Sequence, residues 1–194
     1  LILDEVQTGI GRTGLLFAHE WQFAGTGMQP DIVAAAKGLG AGFPVGACLA
    51  AGPAASAFTP GMHGTTFGGN PLAMTVAGAV LDQVLAPGFL NRVQEMGNLL
   101  ERRLRNLQAA FPARIRDVRG RGLMRGLHLT GQPSDLVNAA LAQRLLLVGA
   151  GDNTVRLLPP LIIGEEEVEM AMEKLTKGRG RESVDTHGRT EKKR

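Results

Sequence analysis

The chain contains a single cysteine, Cys48, so it forms no internal disulfide, and a reducing compartment suits it. Aromatic residues make up only 4% of the sequence. There is neither a basic recognition helix nor the aromatic pattern of an RNA-binding module, which argues against a nucleic-acid partner. No apolar run approaches the about 20 residues that span a bilayer, so no membrane partner is expected. No internal repeat is visible. Metal-ligand spacing is missing too. His19-Glu20 has no second histidine four residues on, and His63, His128 and His187 have no histidine or cysteine at ligand distance. These histidines are expected to be capping or exposed residues, and Cys48 is expected to pack in a small-residue strand. Gly38-Leu-Gly-Ala-Gly42 departs from the Gly-x-Gly-x-x-Gly spacing, and no Gly-Lys-Ser/Thr ending marks a Walker loop. There is no initiator methionine and no signal-peptide pattern. The chain opens on Leu1-Ile2-Leu3, as if inside a strand, and is expected to be a fragment of a longer protein.

What is present is a globular composition. Hydrophobic residues are 44% and charged residues 20% of 194, enough to bury one domain or parts of two. The basic excess is local. Residues 177–194 hold seven Lys/Arg against three Asp/Glu, which leaves 14 against 15 in the rest of the chain. That tail has almost nothing to bury and is expected to be disordered.

The pattern along the chain alternates. A strand ends near Asp4, residues 8–30 read as a long glycine-rich connection, and Asp31–Ala36 reads as a short buried strand. Pro44–Ala51 reads as another. Asn70 is a good N-cap with Pro71 in the first helical position, which predicts a helix over 72–85. Pro87-Gly88 breaks it. A longer helix is predicted over 89–110, with Leu90, Val93, Met96, Leu99, Leu100, Leu104 and Leu107 on one face. Strands are predicted at 115–118 and 123–130, then a helix capped by Ser134 and running to about Leu147. A strand at 154–158 is expected to end on a sheet edge at Pro159-Pro160, and an acid-led helix follows from Glu165. The expected division is 1–88, a connecting helix 89–111, a small α+β module 112–176, and the tail 177–194.

Several residues could carry chemistry. Lys37 follows an apolar run and precedes a glycine-rich turn. It reads either as a nucleophile able to form a Schiff base, a role favoured by burial, or as an ordinary solvated lysine. Asp4 ends an apolar strand, where open α/β sheets bind ligands, or it is a simple cap. An amine and a carboxylate on neighbouring strand ends can grip the two ends of one aromatic cofactor. Gly64-Thr65-Thr66-Phe67-Gly68-Gly69 runs into a helix start, either as an anion cradle or as a plain capping loop. Arg156, in an otherwise apolar strand, is expected to face a carboxylate.

These segments together resemble the class III (subgroup II) pyridoxal-phosphate aminotransferases. The stretches that carry the resemblance are Leu3–Gly14, Pro30–Ala47, His63–Ala73, Arg119–Met124 and Val155–Ile163, and it spans about residues 1–176. It implies an α/β fold, the C-terminal part of a fold-type I transferase, with pyridoxal 5′-phosphate as cofactor. It implies that Lys37 forms the Schiff base and shuttles the proton, that Asp4 holds the pyridinium proton, and that Val6 packs on the ring. Gln7 would reach the phenolic oxygen, Glu5 belongs to the same cofactor-binding stretch, and Thr66 would bind the phosphate, typically of the neighbouring subunit. Thr65 and Arg156 would meet substrate. The implied reaction is ping-pong transfer of the δ-amine of N-acetylornithine to 2-oxoglutarate in the cytoplasm. Ornithine, succinylornithine or another ω-amino acid is the alternative donor. A homodimer is implied for the complete enzyme, as are further site residues outside this chain. A reading from a different class keeps the fold and makes the chain a non-catalytic remnant or assembly polypeptide.

Overall fold

The computed structural model describes residues 1–177, which form two compact units. The expectation of a disordered tail falls on residues outside that range, apart from Lys177, which closes the last helix. No single described helix is long and apolar enough to cross a membrane.

The first unit comprises residues 1–98, 121–124 and 159–162. Its sheet has the order β1 (Ile2–Asp4), β2 (Ile32–Ala35), β3 (Ala47–Ala50). β1 and β2 are parallel, with Leu3 opposite Val33 and Asp4 opposite Ala34; β3 runs antiparallel to β2, with Cys48 opposite Ala34. Two short helices, α1 (Glu20–Phe23) and α2 (Gly52–Ser56), sit in the connections. The helix α3 (Pro71–Val84) starts as its sequence demands. The Asn70 side chain accepts from the Ala73 amide at 2.9 Å, and Pro71 occupies the first turn, where its missing N–H costs nothing. Ile10, Ala35, Leu39, Ala77 and Val84 form the core of this unit, with Phe17, Val45, Leu81 and Leu161 packed on it. Cys48 is exposed, against the expectation that it packs, because β3 is exposed on both faces in this chain.

Of the described residues, the second unit comprises 99–120, 125–158 and 163–177. Its sheet has the order β4 (Ile115–Arg121), β5 (Met124–Leu129), β7 (Thr154–Leu157), β6 (Val148–Ala150). The long helix α4 (Phe89–Ala110) contributes to both units. Leu100, Leu104 and Leu107 are buried at helical spacing, whereas Arg105 pairs with Glu101 one turn earlier. α6 (Glu165–Lys177) opens on three glutamates, whose charge complements a helix N-terminus. Arg103 on α4 ion-pairs with Glu169 on α6, and buried Arg125 is held by Glu101 at 2.9 Å and the Gly120 carbonyl at 2.7 Å.

Three local expectations change here. α5 spans Pro133–Ala142, starts from Gln132 rather than Ser134, and stops five residues short of Leu147. The stop is a Schellman turn. Arg144 takes φ +58, its amide donates to Leu141, and the Leu145 amide donates to Ala140. Glycine usually fills that left-handed position, so arginine there hides the signal. Beyond that turn the chain forms β6, an edge strand of the sheet. β7 is therefore interior rather than an edge. Pro159 and Pro160 lie past its last paired residue, Leu157, and so end the strand without removing a ladder donor. His128 is buried on β5, 3.4 Å from Asp152, rather than capping or exposed, because β5 is an interior strand buried nearly throughout. His63 is exposed, edge-on to Phe58, and His187 lies outside the described residues.

Candidate active site

Because β1 and β2 are parallel and in register, their carboxyl ends open side by side. The Glu5 amide extends the ladder by one more bond, 2.9 Å to the Ala34 carbonyl. Asp4 is the last residue of β1 and is exposed. Its Oδ1 accepts the Val6 amide at 3.0 Å, which fixes the carboxylate against the turn that follows. Val6 and Gln7 form that turn and are half-buried.

Lys37 stands just beyond β2, at the head of a 3₁₀ turn spanning Lys37–Gly40. Its φ is +46, in the left-handed region that non-glycine residues rarely occupy. Such strain persists only where the surroundings impose it, and it concentrates at functional positions. Leu39 and Gly40, the second half of the turn, are buried and α3 packs against it, so the turn is anchored while Lys37 is held outward. Lys37 is exposed rather than buried because it lies past the open end of the parallel strands.

Glu5 behaves differently from its neighbours. It is only 4% exposed, and its carboxylate is spent on the chain itself. The Thr8 hydroxyl donates to it, as do the amides of His19 at 2.8 Å and Ala18 at 3.1 Å, and His19 Nδ1 lies at 3.1 Å. The His19 ring is stacked on Phe17, with Phe23 on another side. Burial pushes the Glu5 carboxyl up, but the hydrogen bonds from Thr8, His19 and Ala18 outweigh it and leave its pKa below the ordinary value. The Glu5 oxygens are thus engaged by Thr8 and by the return of loop 17–19.

Thr65 and Thr66 lie exposed on the loop before α3. Asn70 secures that loop as well as the helix, because its Nδ2 donates to the Phe67 carbonyl at 2.7 Å. Arg156 belongs to the second unit, half-buried on β7 with Gly126 and Val148 as its strand partners. The structure thus brings Asp4, Val6, Gln7 and Lys37 to one end of the sheet, and sets the threonines on a loop of the same unit. Among the described residues there is no cluster of His, Cys, Asp and Glu that could hold a metal ion.

The sequence reading missed the supports behind this end of the sheet. Arg12 donates to the carbonyls of Pro159 at 2.5 Å and Leu123 at 3.3 Å, and burial pushes its guanidinium down. Trp21 donates to Thr13 Oγ1 at 3.3 Å while the Arg121 guanidinium lies 4.4 Å over its ring. Gly122, at φ +55, lets its backbone press on Thr13, where a Cβ would come within 2.5 Å of the Thr13 carbonyl carbon. The Gly-Arg-Thr-Gly run at 11–14 is the sequence signal for this close packing, although it does not say what packs on it.

Known proteins resemble this chain over most of its length. The family model for class-III aminotransferases matches residues 1–178. An acetylornithine aminotransferase of Brucella melitensis is 54% identical over 172 residues, covering 89% of this chain and 42% of the relative. That of Bacillus subtilis is 46% identical over 176 residues, covering 90% and 44%. Among solved structures, the N-acetylornithine aminotransferase of Stenotrophomonas maltophilia superposes with a TM-score of 0.79 at 37% identity, covering 92% of this chain and 46% of that one. The ornithine aminotransferase of Toxoplasma gondii gives 0.83 at 32% identity, covering 92% and 42%. The chain therefore spans less than half the length of these relatives, and its fold is that of the C-terminal part of a fold-type I pyridoxal-phosphate-dependent transferase. With the motifs in order, the strand-end geometry in place and the family model matched over nearly the whole length, the chain belongs to the class-III aminotransferases.

Proposed function

We propose that this chain is the C-terminal part of an enzyme that transfers the δ-amino group of N-acetylornithine to 2-oxoglutarate. The observation that carries the reading is the pairing of Asp4 and Lys37 at adjacent carboxyl ends of two parallel strands. The donor set fits pyridoxal 5′-phosphate: a carboxylate with one oxygen engaged by an amide, an outward lysine on a strained turn, and a hydroxyl-bearing loop before a capped helix. When bound, the cofactor supplies an electron sink for the carbon that loses its proton.

The residues divide the work by chemistry. Asp4 places a negative charge where a ring nitrogen needs its proton kept. Lys37 Nζ would hold the cofactor through its aldehyde and, as a free amine, would take and return the migrating proton. Val6 offers an apolar surface to the ring, and Gln7 an amide to its phenolic oxygen. Thr66 offers a hydroxyl to phosphate and Thr65 a contact to substrate. Arg156 offers a guanidinium to a substrate carboxylate, where a planar fork gives bidentate recognition. We further propose that the complete enzyme is a cytoplasmic homodimer, and that residues 1–88 belong to the cofactor domain, 89–111 to a connecting helix and 112–176 to a small domain.

The test has two arms. Purified chain is mixed with pyridoxal phosphate, reduced with borohydride and digested for mass spectrometry. Selective label at Lys37, absent in Lys37→Ala, is expected; scattered label would refute the site. The full-length protein is then assayed with N-acetylornithine against ornithine, and a preference for ornithine would move the donor assignment to the ornithine aminotransferases.

A further inference from the structure

We propose that Glu5 is a positioning residue for Asp4, fixing the direction in which the Asp4 carboxylate meets the cofactor ring nitrogen. The inference rests on the cofactor reading above and extends it to a residue whose carboxylate is engaged by the chain itself.

Every polar group of Glu5 is engaged. Its amide donates to Ala34 at 2.9 Å and its carbonyl accepts the Gly9 amide at 2.9 Å. A Cβ on Gly9 would sit 2.9 Å from that carbonyl oxygen, so glycine is what lets the turn close this tightly. The side chain gathers Thr8, Ala18 and His19 on its two oxygens. Asp4, by contrast, is exposed and its carboxylate takes the Val6 amide. Successive side chains of an extended strand point to opposite faces, so an inward Glu5 forces Asp4 outward. The peptides on both sides of Glu5 lead directly to the two ends of the Asp4–Val6 hydrogen bond. Locking Glu5 therefore locks the frame that aims Asp4, and removes rotational freedom from an otherwise solvated carboxylate.

Carboxylate chemistry is required at this position. The oxygens face converging donors, and the NH₂ of a glutamine would confront them with another donor. Glu5→Gln thus disrupts the cluster at nearly constant volume. The experiment compares wild type, Glu5→Gln, Asp4→Asn and the double variant in the full chain. Circular dichroism checks the fold, and the bound cofactor is followed by its visible absorption band across pH and by borohydride trapping at Lys37. The expected result is that Glu5→Gln still labels at Lys37 while cofactor affinity falls about tenfold. The pH midpoint of the band is expected to move by about one unit, in the direction Asp4→Asn moves it. The double variant is expected to match Asp4→Asn alone, since the two residues act through one contact. A Glu5→Gln midpoint equal to wild type, or effects that simply add, would overturn the proposal.

If wild type takes no label at Lys37, the cofactor reading fails, and NMR of the cofactor-free chain decides the present inference separately. Shifted Asp4 carboxyl-carbon and Val6 amide resonances in Glu5→Gln, with the Leu129 amide unchanged as control, support it. Unshifted ones refute it.

Discussion

Glu5 makes the site sensitive to acid in a direction that can be worked out. Its folded pKa lies below the ordinary glutamate value of 4.5, since its hydrogen bonds outweigh the upward push of burial. A depressed carboxyl contributes stability that is fully present above the unfolded value and is lost as pH falls through the folded one. Denaturant midpoints measured against pH are expected to show Glu5→Gln less stable than wild type at neutral pH, with the gap closing below about pH 4.5. A gap constant with pH would refute this. At Gly122 the left-handed φ and the 2.5 Å approach to Thr13 leave no room for a side chain. Gly122→Ala is expected to cost about 2 kcal/mol or more by equilibrium unfolding. Asp4 and Lys37 were legible as strand-end residues because an apolar run ends at each. Glu5's task was not, because its donors at 18 and 19 reach it only through the folding of a loop whose path no periodicity records.

At the scale of the element, the two helices written most plainly in the sequence are also the clearest to test. Asn70 caps α3 and ties down the Phe67 carbonyl. Asn70→Ala is expected to lose about 1 kcal/mol of stability and to loosen the Thr65–Thr66 loop, seen as faster amide exchange over 63–69. On α4, Leu104 is fully buried whereas Arg105 makes an exposed pair with Glu101. Leu104→Ala is expected to cost about 2–5 kcal/mol and Arg105→Ala about 0.5 kcal/mol or less. Comparable losses at the two positions would mean the helix face is misassigned. α3 and α4 were readable because cap, proline and 3.6-residue periodicity all agree. The end of α5 was not, because the residues after it favour helix locally and only the Schellman turn at Arg144, closed by bonds to Ala140 and Leu141, stops them.

At the scale of the whole molecule, large apolar side chains stand exposed along one stretch of the first unit. Leu49, Phe58, Met62, Phe67, Leu72 and Met74 all do so, with Phe67 80% exposed. Apolar surface of this kind marks association. With the proposed homodimer, it leads to the expectation that sedimentation velocity shows concentration-dependent self-association, and that Phe58→Ser with Phe67→Ser weakens it. A wild-type chain that stays monomeric at high concentration would refute self-association through this surface.

The sequence by itself determined the family, the α/β class, the two long helices and the strand ends on which Asp4 and Lys37 stand. Those features are written in contiguous residues, as motif, cap and periodicity, so reading along the chain recovers them. Only the tertiary structure decided that Glu5 turns inward, that Arg12 and Gly122 brace the loop behind it, that His128 is buried and Cys48 exposed, and that β7 lies inside its sheet. Each of these depends on which distant segment arrives opposite a residue, and a short-range pattern carries no record of that.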